Sequence, residues 1–189
     1  AEGFNYDYIQ ARIGTTNSRA TDELYIIEAS KAVHENIALR GGLAYRQGDW
    51  NLTDRVKEQT SSQITAEIIF HKDVTNNSDI LLSVGYSNTE YKSTCKTIVT
   101  GHICTTSSTT LNNHEAYGGG LGIRQRLSES IEAELFYAGI TTSGNPTVNQ
   151  VHLSLLKEIS DKLSIGANYR WNTNGADFNQ SEVVLRRKF

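Results

Sequence analysis

Residues 131–137 read Ile-Glu-Ala-Glu-Leu-Phe-Tyr, and they contain the pattern that decides the fold. The odd-numbered positions carry apolar side chains and end in Tyr137, whereas Glu132 and Glu134 occupy the other face. A polar turn, residues 128–130, precedes this stretch. Because successive side chains of an extended chain point to opposite faces, the alternation predicts a β-strand with one apolar and one charged face.

The same unit occurs three more times along the chain. In each copy a short polar turn is followed by alternating small or apolar residues, and a Tyr closes the apolar face. These copies are the segments 37–45, 80–86 and 163–169. The segment before each turn alternates as well, so the repeated unit is a hairpin. The sequence therefore predicts an all-β chain of successive antiparallel hairpins.

Counting the alternating segments predicts ten strands. They are expected at about 4–15, 22–33, 36–47, 62–72, 79–91, 114–127, 130–141, 147–159, 162–172 and 179–189. Most of them reach the length of about 9–11 residues with which a tilted strand crosses a bilayer. An even number of strands closes an up-and-down transmembrane barrel with both termini on one side. Eight strands is the alternative, in which one weak pair, most readily the first, does not cross the membrane.

The composition limits the class of protein. The chain has 189 residues, 38% of them hydrophobic, and its mean hydropathy is −0.43. It has no run of about 20 apolar residues, as a membrane-spanning helix requires, whereas in a transmembrane barrel only alternate residues meet lipid. The net charge of −3 is small and both signs are interspersed, so no nucleic-acid partner is expected. Ala1-Glu2-Gly3 is expected to be a mature N-terminus left after removal of a signal peptide.

The two faces of the strands distinguish a soluble barrel from a membrane barrel. In a soluble barrel or sandwich the apolar face points inward, whereas in a membrane barrel it points to lipid and the polar face lines the lumen. The Tyr at the end of each repeat favours the membrane, because its ring is apolar and its hydroxyl can reach the headgroups. The predicted interface aromatics are Tyr45, Tyr86, Tyr137, Tyr169 and Trp171.

The inward face then carries charges of both signs in comparable number. They are Arg12, Glu28, Arg40, Arg46, Glu67, Arg124, Arg126, Glu132, Glu134, Arg170, Glu182 and Arg186, with His71 among them. Mixed charges in a narrow lumen are expected to pair, since an unpaired one would be costly. The first interpretation is therefore a salt-bridge network that fills the lumen.

The second interpretation of the lumen is a narrow polar pore. Inward glycines would either widen a water path or make room for arginine side chains from neighbouring strands. These glycines are Gly42, Gly85, Gly118, Gly120, Gly122 and Gly166.

The connections between strands fall into two classes. Those near 34–36, 73–78, 128–129 and 160–161 are mostly short, and those near 16–21, 48–61, 92–113, 142–146 and 173–178 are mostly longer and rich in Thr, Asn and Ser. Outer-membrane barrels have short periplasmic turns and longer external loops. Cys95 and Cys104, the only cysteines, both lie in the loop 92–113, where an exported protein is expected to form a disulfide.

At the level of this pattern the chain resembles the small outer-membrane β-barrel proteins of bacteria, the broad group that includes OmpA and OmpX. The resemblance covers the whole chain, 1–189, as a single domain. Val183, Leu185 and Phe189 match the terminal strand that the barrel-assembly machinery reads in this group, whereas Arg187 stands where an apolar residue is usual. The resemblance implies an outer-membrane location in contact with the lipid bilayer and lipopolysaccharide, with both termini periplasmic.

The function expected from these features is not enzymatic. The leading hypothesis is a structural or interaction role, in which the external loops, above all 92–113, present a partner-binding surface or simply resist proteases. The alternative is a narrow porin-like channel for ions or small polar solutes. No cofactor and no metal site are expected.

A remote alternative is a lipid-modifying barrel enzyme. His152-x-Ser154 is similar to the His-x-Ser pair of outer-membrane lipid A deacylases, in which the hydroxyl attacks an ester and the imidazole takes its proton. Leu155 follows the Ser where that family has Asn, and the strand phase turns both side chains into the lumen, away from lipid.

Overall fold

The computed structural model of the chain describes residues 4–17, 21–51, 55–98, 110–144, 147–174 and 179–189. Ten antiparallel strands form one closed barrel, in which each strand pairs with its neighbours in chain order and β1 pairs with β10. The strands are β1 (Tyr8–Asn17), β2 (Thr21–His34), β3 (Ile37–Asn51), β4 (Arg55–Thr75), β5 (Ser78–Ile98), β6 (Thr110–Ser128), β7 (Ile131–Thr142), β8 (Val148–Ser160), β9 (Leu163–Asn172) and β10 (Asn179–Lys188). The predicted ten-stranded up-and-down barrel is confirmed, and the eight-stranded alternative is wrong. No helix in these ranges is long and apolar enough to cross a membrane.

The outer face of the barrel is apolar and the inner face is polar. Ile27 on β2 and Leu121 on β6 are 60% and 62% exposed, whereas Glu28 and Arg124 on the same strands are 8% and 2% exposed. A soluble protein buries most of its large aliphatic side chains, so a continuous exposed apolar band marks a surface that contacts another apolar phase. The phase predicted for the strands, with the charges inside, matches this arrangement.

The two ends of the barrel differ. At one end, here called the turn end, two-residue turns at 35–36, 76–77, 129–130 and 161–162 join the strands. At the other, the loop end, β4 and β5 extend to 21 residues each and β6 to 19. Residues 48–51 and 55–61 of the first predicted loop are strand, and so are 92–98 and 110–113 of the predicted loop 92–113, so the boundaries predicted for these loops were wrong. The residues 58–61 of β4 and 92–94 of β5 are all polar, so they lack the apolar alternation that marks the rest of each strand.

The predicted disulfide falls at this loop end. Cys95 belongs to β5, and Cys104 lies outside the described residues. The bond between them is outside what the structure describes and stays a prediction.

The N-terminal residues 4–7 do not belong to the sheet. β1 begins at Tyr8, so the predicted start at residue 4 is wrong. Tyr6 is 6% exposed and lies inside the barrel. Its apolar neighbourhood consists of Phe4, Ala32, Ala38, Ile69, Leu81 and Phe136. On the β10 side the ladder ends where Tyr8 meets Lys188, so the earlier residues find no partner strand there and turn inward as a plug.

The bare inner face of β6 is partly covered by an aromatic ring. A Cβ added at Gly120 or Gly122 would collide with the ring of Phe136 on β7. Gly85 and Gly118 line the cavity of the lumen, and a Cβ added there would lie 3.4 Å from side-chain atoms of Glu67 and Ile140 respectively. At Gly120 and Gly122 the missing side chain therefore makes room for a phenyl ring. The sequence predicts a water path or room for arginine side chains at these glycines.

Candidate functional site: the barrel lumen

The centre of the lumen holds a chain of ion pairs from five strands, here called the central cluster. Arg12 donates to Glu28 through Nη2 (3.0 Å to Oε2) and to Glu182 through Nη1 (3.1 Å to Oε2). Arg40 donates from Nε to Glu67 Oε2 at 2.6 Å, and its Nη1 lies 3.8 Å from Glu28 Oε1. Three carboxylates thus neutralise two guanidinium groups, and buried charges that would be costly alone are compensated.

A second group, the turn-end cluster, closes the lumen towards the turns. Arg124 Nη2 lies 2.6 Å from Glu132 Oε2, and these two residues are 2% and 4% exposed. Lys188 Nζ lies 3.5 Å from the other oxygen of Glu132 and also pairs with Glu158. Because charge-assisted hydrogen bonds gain strength away from water, this cluster ties β6, β7, β8 and β10 together.

Arg186 extends the central cluster through Gln10. Its Nε donates to Gln10 Oε1 at 2.9 Å, and Gln10 Nε2 donates to Glu28 Oε1 at 2.8 Å. The guanidinium also lies 4.1 Å from the centre of the Tyr8 ring, within cation–π range. The hydrogen bonds of the central cluster therefore reach Gln10 and Arg186 of the two strands that close the barrel, β1 and β10.

The N-terminal plug lies over the turn-end cluster. The Tyr6 hydroxyl donates to Asp79 Oδ2 at 2.8 Å, and its ring stacks on His71 with 3.8 Å between centroids. Burial raises the pKa of Tyr6, so the phenol keeps its proton and remains a donor. The Arg124 guanidinium lies 4.8 Å from the Phe4 ring centre. A cavity of about 10 Å³ remains among these side chains, room for about one water molecule.

Asp7 fastens the plug to the sheet. Its Oδ1 accepts the backbone N–H of Ala32 at 2.7 Å, and its Oδ2 accepts from Lys31 Nζ at 2.7 Å. The hydrogen bond from Lys31, followed by that from Ala32, lowers the pKa of Asp7. The backbone N–H of Phe189 donates to the Asp7 carbonyl at 3.1 Å, so the plug contacts the last residue of the chain as well as β2.

Three side chains beside the plug could hold a cation. One ligand atom from each of His71, Asp73 and Asp79 lies within 4.8 Å of the others, and the two aspartates are opposite each other in the β4–β5 register. The sequence prediction named no metal site, because these residues meet only through that register. Tyr6 already occupies one oxygen of Asp79, so the group is equally suited to anchoring the plug.

The loop half of the lumen is open. A cavity of about 240 Å³ lies there above the central cluster. On one side it is lined by the charged or polar side chains Arg12, Glu28, Arg40, Glu67, Gln150, His152 and Arg170. On the other side β5, β6 and β7 present the small residues Ser83, Gly85, Ser87, Ala116, Gly118 and Ala138. The lumen is thus asymmetric, with donors and acceptors concentrated on one wall and with small or apolar residues, Phe136 and Ile140 among them, on the other.

All twelve charged residues predicted for the lumen lie on the inner face in the alternation of the strands. Eight of them take part in the contacts described above, and Arg46 and Arg126 also have partners. Sequence reasoning missed Lys188, whose partners Glu132 and Glu158 come from other strands. Lys188 has the inward phase of Arg186, and this alternation is the sequence signal that could have found it.

The His152 and Ser154 pair does not form a nucleophile and base. Both face the lumen, and Ser154 is 6% exposed. Within the described residues no hydrogen bond joins them, and His152 Nε2 is buried without a partner. The geometry therefore lacks the contact by which an imidazole activates a hydroxyl.

The predicted interface aromatics and terminal-strand residues lie on the outer face. Tyr45, Tyr137 and Tyr169 are 41% to 47% exposed, and Trp171 packs against Tyr169 with 5.5 Å between ring centroids. The Tyr86 hydroxyl donates to Glu115 Oε1 at 3.2 Å. In β10 and beyond it, the exposed outer residues are Val183 (59%), Leu185 (49%) and Phe189 (69%).

Outward-facing charges separate by sign at the two ends of the apolar band. Towards the turn end they form a basic girdle of Lys31, Lys72, Lys157 and Arg187. Towards the loop end they form an acidic girdle of Glu23, Asp49, Glu58, Glu90 and Glu115, with Lys92 beside it. The apolar band between the girdles has a defined polarity along the barrel axis.

Comparisons with known proteins agree with this architecture. No family model and no curated protein matches the chain. The translocator domain of the autotransporter NalP from Neisseria meningitidis matches with a TM-score of 0.60 and 13% identity, over 100% of this chain and 90% of that one. The NanC porin and the KdgM porin each give a TM-score of 0.53, at 8% and 9% identity, over 96% of this chain and 100% and 99% of theirs. The chain therefore has the fold of the outer-membrane β-barrels.

Proposed function

We propose that the chain is an integral outer-membrane protein with a structural or interaction role, whose lumen does not conduct and whose loop end is the surface at which it acts. The observation that carries this proposal is the filled turn half of the lumen. Among the described residues there, Tyr6 of the plug and Arg124 of the turn-end cluster line a cavity of about 10 Å³, far less than a hydrated ion path needs.

The charge girdles support an orientation with the turns and both termini in the periplasm. A basic girdle suits a leaflet with anionic phospholipid headgroups, because each nearby Lys or Arg is attracted to them. Short turns on the periplasmic side agree with the usual build of these barrels. The loop end then meets lipopolysaccharide, and the outer face of Val183, Leu185 and Phe189 is available to the barrel-assembly machinery during insertion.

The extended strands of the loop end support an interaction role. β4 and β5 continue well past the apolar band, and residues 58–61 and 92–94 of these extensions are all polar. Surface segments held by a rigid scaffold commonly carry binding functions. The predicted disulfide between Cys95 and Cys104 would lower the ordering cost of docking a protein partner at 92–113.

A narrow channel is the second candidate, favoured by the cavity of about 240 Å³ in the loop half. Planar-bilayer recording of the refolded protein separates the two. A silent membrane is expected. Stable unitary conductance that changes when Arg40 or Glu134 is replaced by Gln would overturn the proposal in favour of the pore.

The surface role is tested in cells. Replacing residues 92–113 by a short turn leaves the apolar band intact, so the protein is expected to insert normally. If the protein serves only envelope integrity, cells that carry this variant keep their resistance to detergent. If 92–113 is an interaction surface, the variant loses adhesion or partner binding.

An epitope inserted at Gly144 is expected to be accessible on whole cells, and one inserted at 129–130 is not. The reverse pattern would contradict the orientation.

A further inference from the structure

Two inward side chains in the loop-half cavity lack a partner. Arg170 on β9 and His152 on β8 are opposite each other in the register of the two strands, and both line the cavity. Facing residues of an antiparallel pair have their Cβ atoms about 5 Å apart. The guanidinium and the imidazole can therefore reach one ligand.

Arg170 differs from the other arginines of the lumen. Three of them form ion pairs with glutamates, namely Arg12, Arg40 and Arg124. Arg186 donates to Gln10, and Arg46 and Arg126 also have partners. Arg170 forms neither an ion pair nor a hydrogen bond with the described residues.

The carboxylates near Arg170 are already engaged. Glu182 accepts hydrogen bonds from Arg12 at 3.1 Å and from Asn168 at 3.0 Å, and it also accepts from Gln180. Glu28 accepts from Arg12 and Gln10. On the neighbouring strand His152 Nε2 is buried without a partner. The Arg170 guanidinium and one ring nitrogen of His152 are thus left unused by the protein itself.

Charge and space together indicate the kind of ligand. Arg170 and the ion pairs of the central cluster together carry three guanidinium groups and three carboxylates, so this part of the lumen has no excess positive charge. A ligand would therefore be attracted by the N–H groups of Arg170 that have no acceptor in the protein. A guanidinium offers two parallel N–H groups, a geometry that matches a carboxylate or a phosphate. The facing wall of Gly85, Gly118 and Ala138 leaves room for the remainder of a small molecule.

We propose that Arg170 and His152 bind the carboxylate or phosphate group of a small anionic solute that enters the cavity from the loop end. The cavity of about 240 Å³ lies just below the usual volume range of ligand pockets, about 300–1,000 Å³, which restricts the solute to a small one. Binding at this site does not require a conducting lumen, so it stands apart from the role proposed for the loop end.

The test is a titration of the refolded, full-length protein followed by NMR of the His152 ring. Inorganic phosphate and acetate are the two probes, with sodium chloride at matched ionic strength as the reference. A saturable shift of the His152 resonances with either anion, absent with chloride, is expected. Arg170→Gln is expected to weaken binding about tenfold, as the loss of a charge-assisted hydrogen bond implies.

Arg187→Gln is the matched control, because it removes the same charge from the outer face and should leave the affinity unchanged. Ala138→Leu fills the cavity without changing any charge and is expected to weaken binding. The absence of a saturable shift in the unaltered protein overturns the proposal. Equal affinities of Arg170→Gln and Arg187→Gln also overturn it. If Arg170→Gln does not refold, the unaltered protein and Ala138→Leu decide the question.

Discussion

At the scale of single residues, Gly122 shows how tightly the inner wall is packed. A Cβ there would collide with the Phe136 ring and with the Leu135 carbonyl oxygen. Gly122→Ala is therefore expected to destabilise the protein by about 1–3 kcal/mol, the usual cost of overpacking. Urea unfolding in micelles, followed by tryptophan fluorescence, measures the change.

Gly41 provides the control for this substitution. It lies on β3 facing outward, and the closest atom to an added Cβ is the Thr65 carbonyl oxygen at 3.6 Å, an ordinary contact distance. Gly41→Ala is expected to leave the free energy of unfolding almost unchanged. An equal loss in the free energy of unfolding for Gly122→Ala and Gly41→Ala would show that the Phe136 ring does not pack against β6.

The turn-end cluster gives a second prediction at this scale. Glu132→Gln leaves the buried Arg124 and Lys188 without their shared carboxylate, so a loss of stability of about 3 kcal/mol is expected. Glu134→Gln changes the same strand face, but Glu134 forms no ion pair within the described residues, and a clearly smaller loss should follow. Chemical unfolding of both variants tests this, and a larger loss for Glu134→Gln would contradict the assignment.

The phase of the strands could be predicted for single residues, but their partners could not. Alternation alone placed the twelve lumen charges on the inner face. Arg124 is opposite Glu134 in the β6–β7 register, yet it binds Glu132, two residues further along β7. Such diagonal choices depend on side-chain reach and on strand twist, and neither is encoded in a pattern of period two.

At the scale of elements, the N-terminal plug is held by a group that titrates. Hydrogen bonds from Lys31 and Ala32 lower the pKa of Asp7, so its folded-state value lies below the unfolded value of about 3.9. The stabilisation is therefore fully present above the unfolded pKa and is lost as the pH falls through the folded pKa. The protection of the Ala32 amide against hydrogen exchange is expected to fall in the same window.

Asp7→Asn removes the carboxylate that titrates while keeping an oxygen acceptor. In this variant the Ala32 amide should be less protected at neutral pH and should show little further change on acidification. Hydrogen exchange measured from pH 3 to 7 provides the comparison. Identical pH profiles in the two proteins would mean that Asp7 does not hold the plug.

Element boundaries were predictable where the two faces differ and were missed where they do not. Residues 58–61 and 92–94 of the β4 and β5 extensions are all polar, so alternation predicts no strand there. The opposite error occurred at residues 4–7, where Phe4 and Tyr6 continue the strand alternation. These residues enter the lumen instead, because β10 ends where Tyr8 meets Lys188 and has no further residue with which they could continue the strand ladder.

At the scale of the whole molecule, one polarity runs along the barrel axis. The turn end combines a filled lumen with the basic girdle, and the loop end combines an open cavity with the acidic girdle and long polar strands. Sequence patterns gave the architecture, whereas the plug and the unpartnered Arg170 depend on contacts between residues distant in sequence. The proposed roles therefore belong to the loop end and its cavity.

The apolar outer face is the central claim, and a spin-label scan of β8 tests it most directly. Single nitroxides at 151–157 in the protein reconstituted in lipid vesicles, with Cys95 and Cys104 replaced by Ser, report access to oxygen and to a water-soluble nickel complex. Leu153 and Leu155, 38% and 44% exposed, should show high oxygen access, and Ser154 and Leu156, both 6% exposed, should show low access. An inverted phase, or the absence of a period of two, would contradict the membrane barrel.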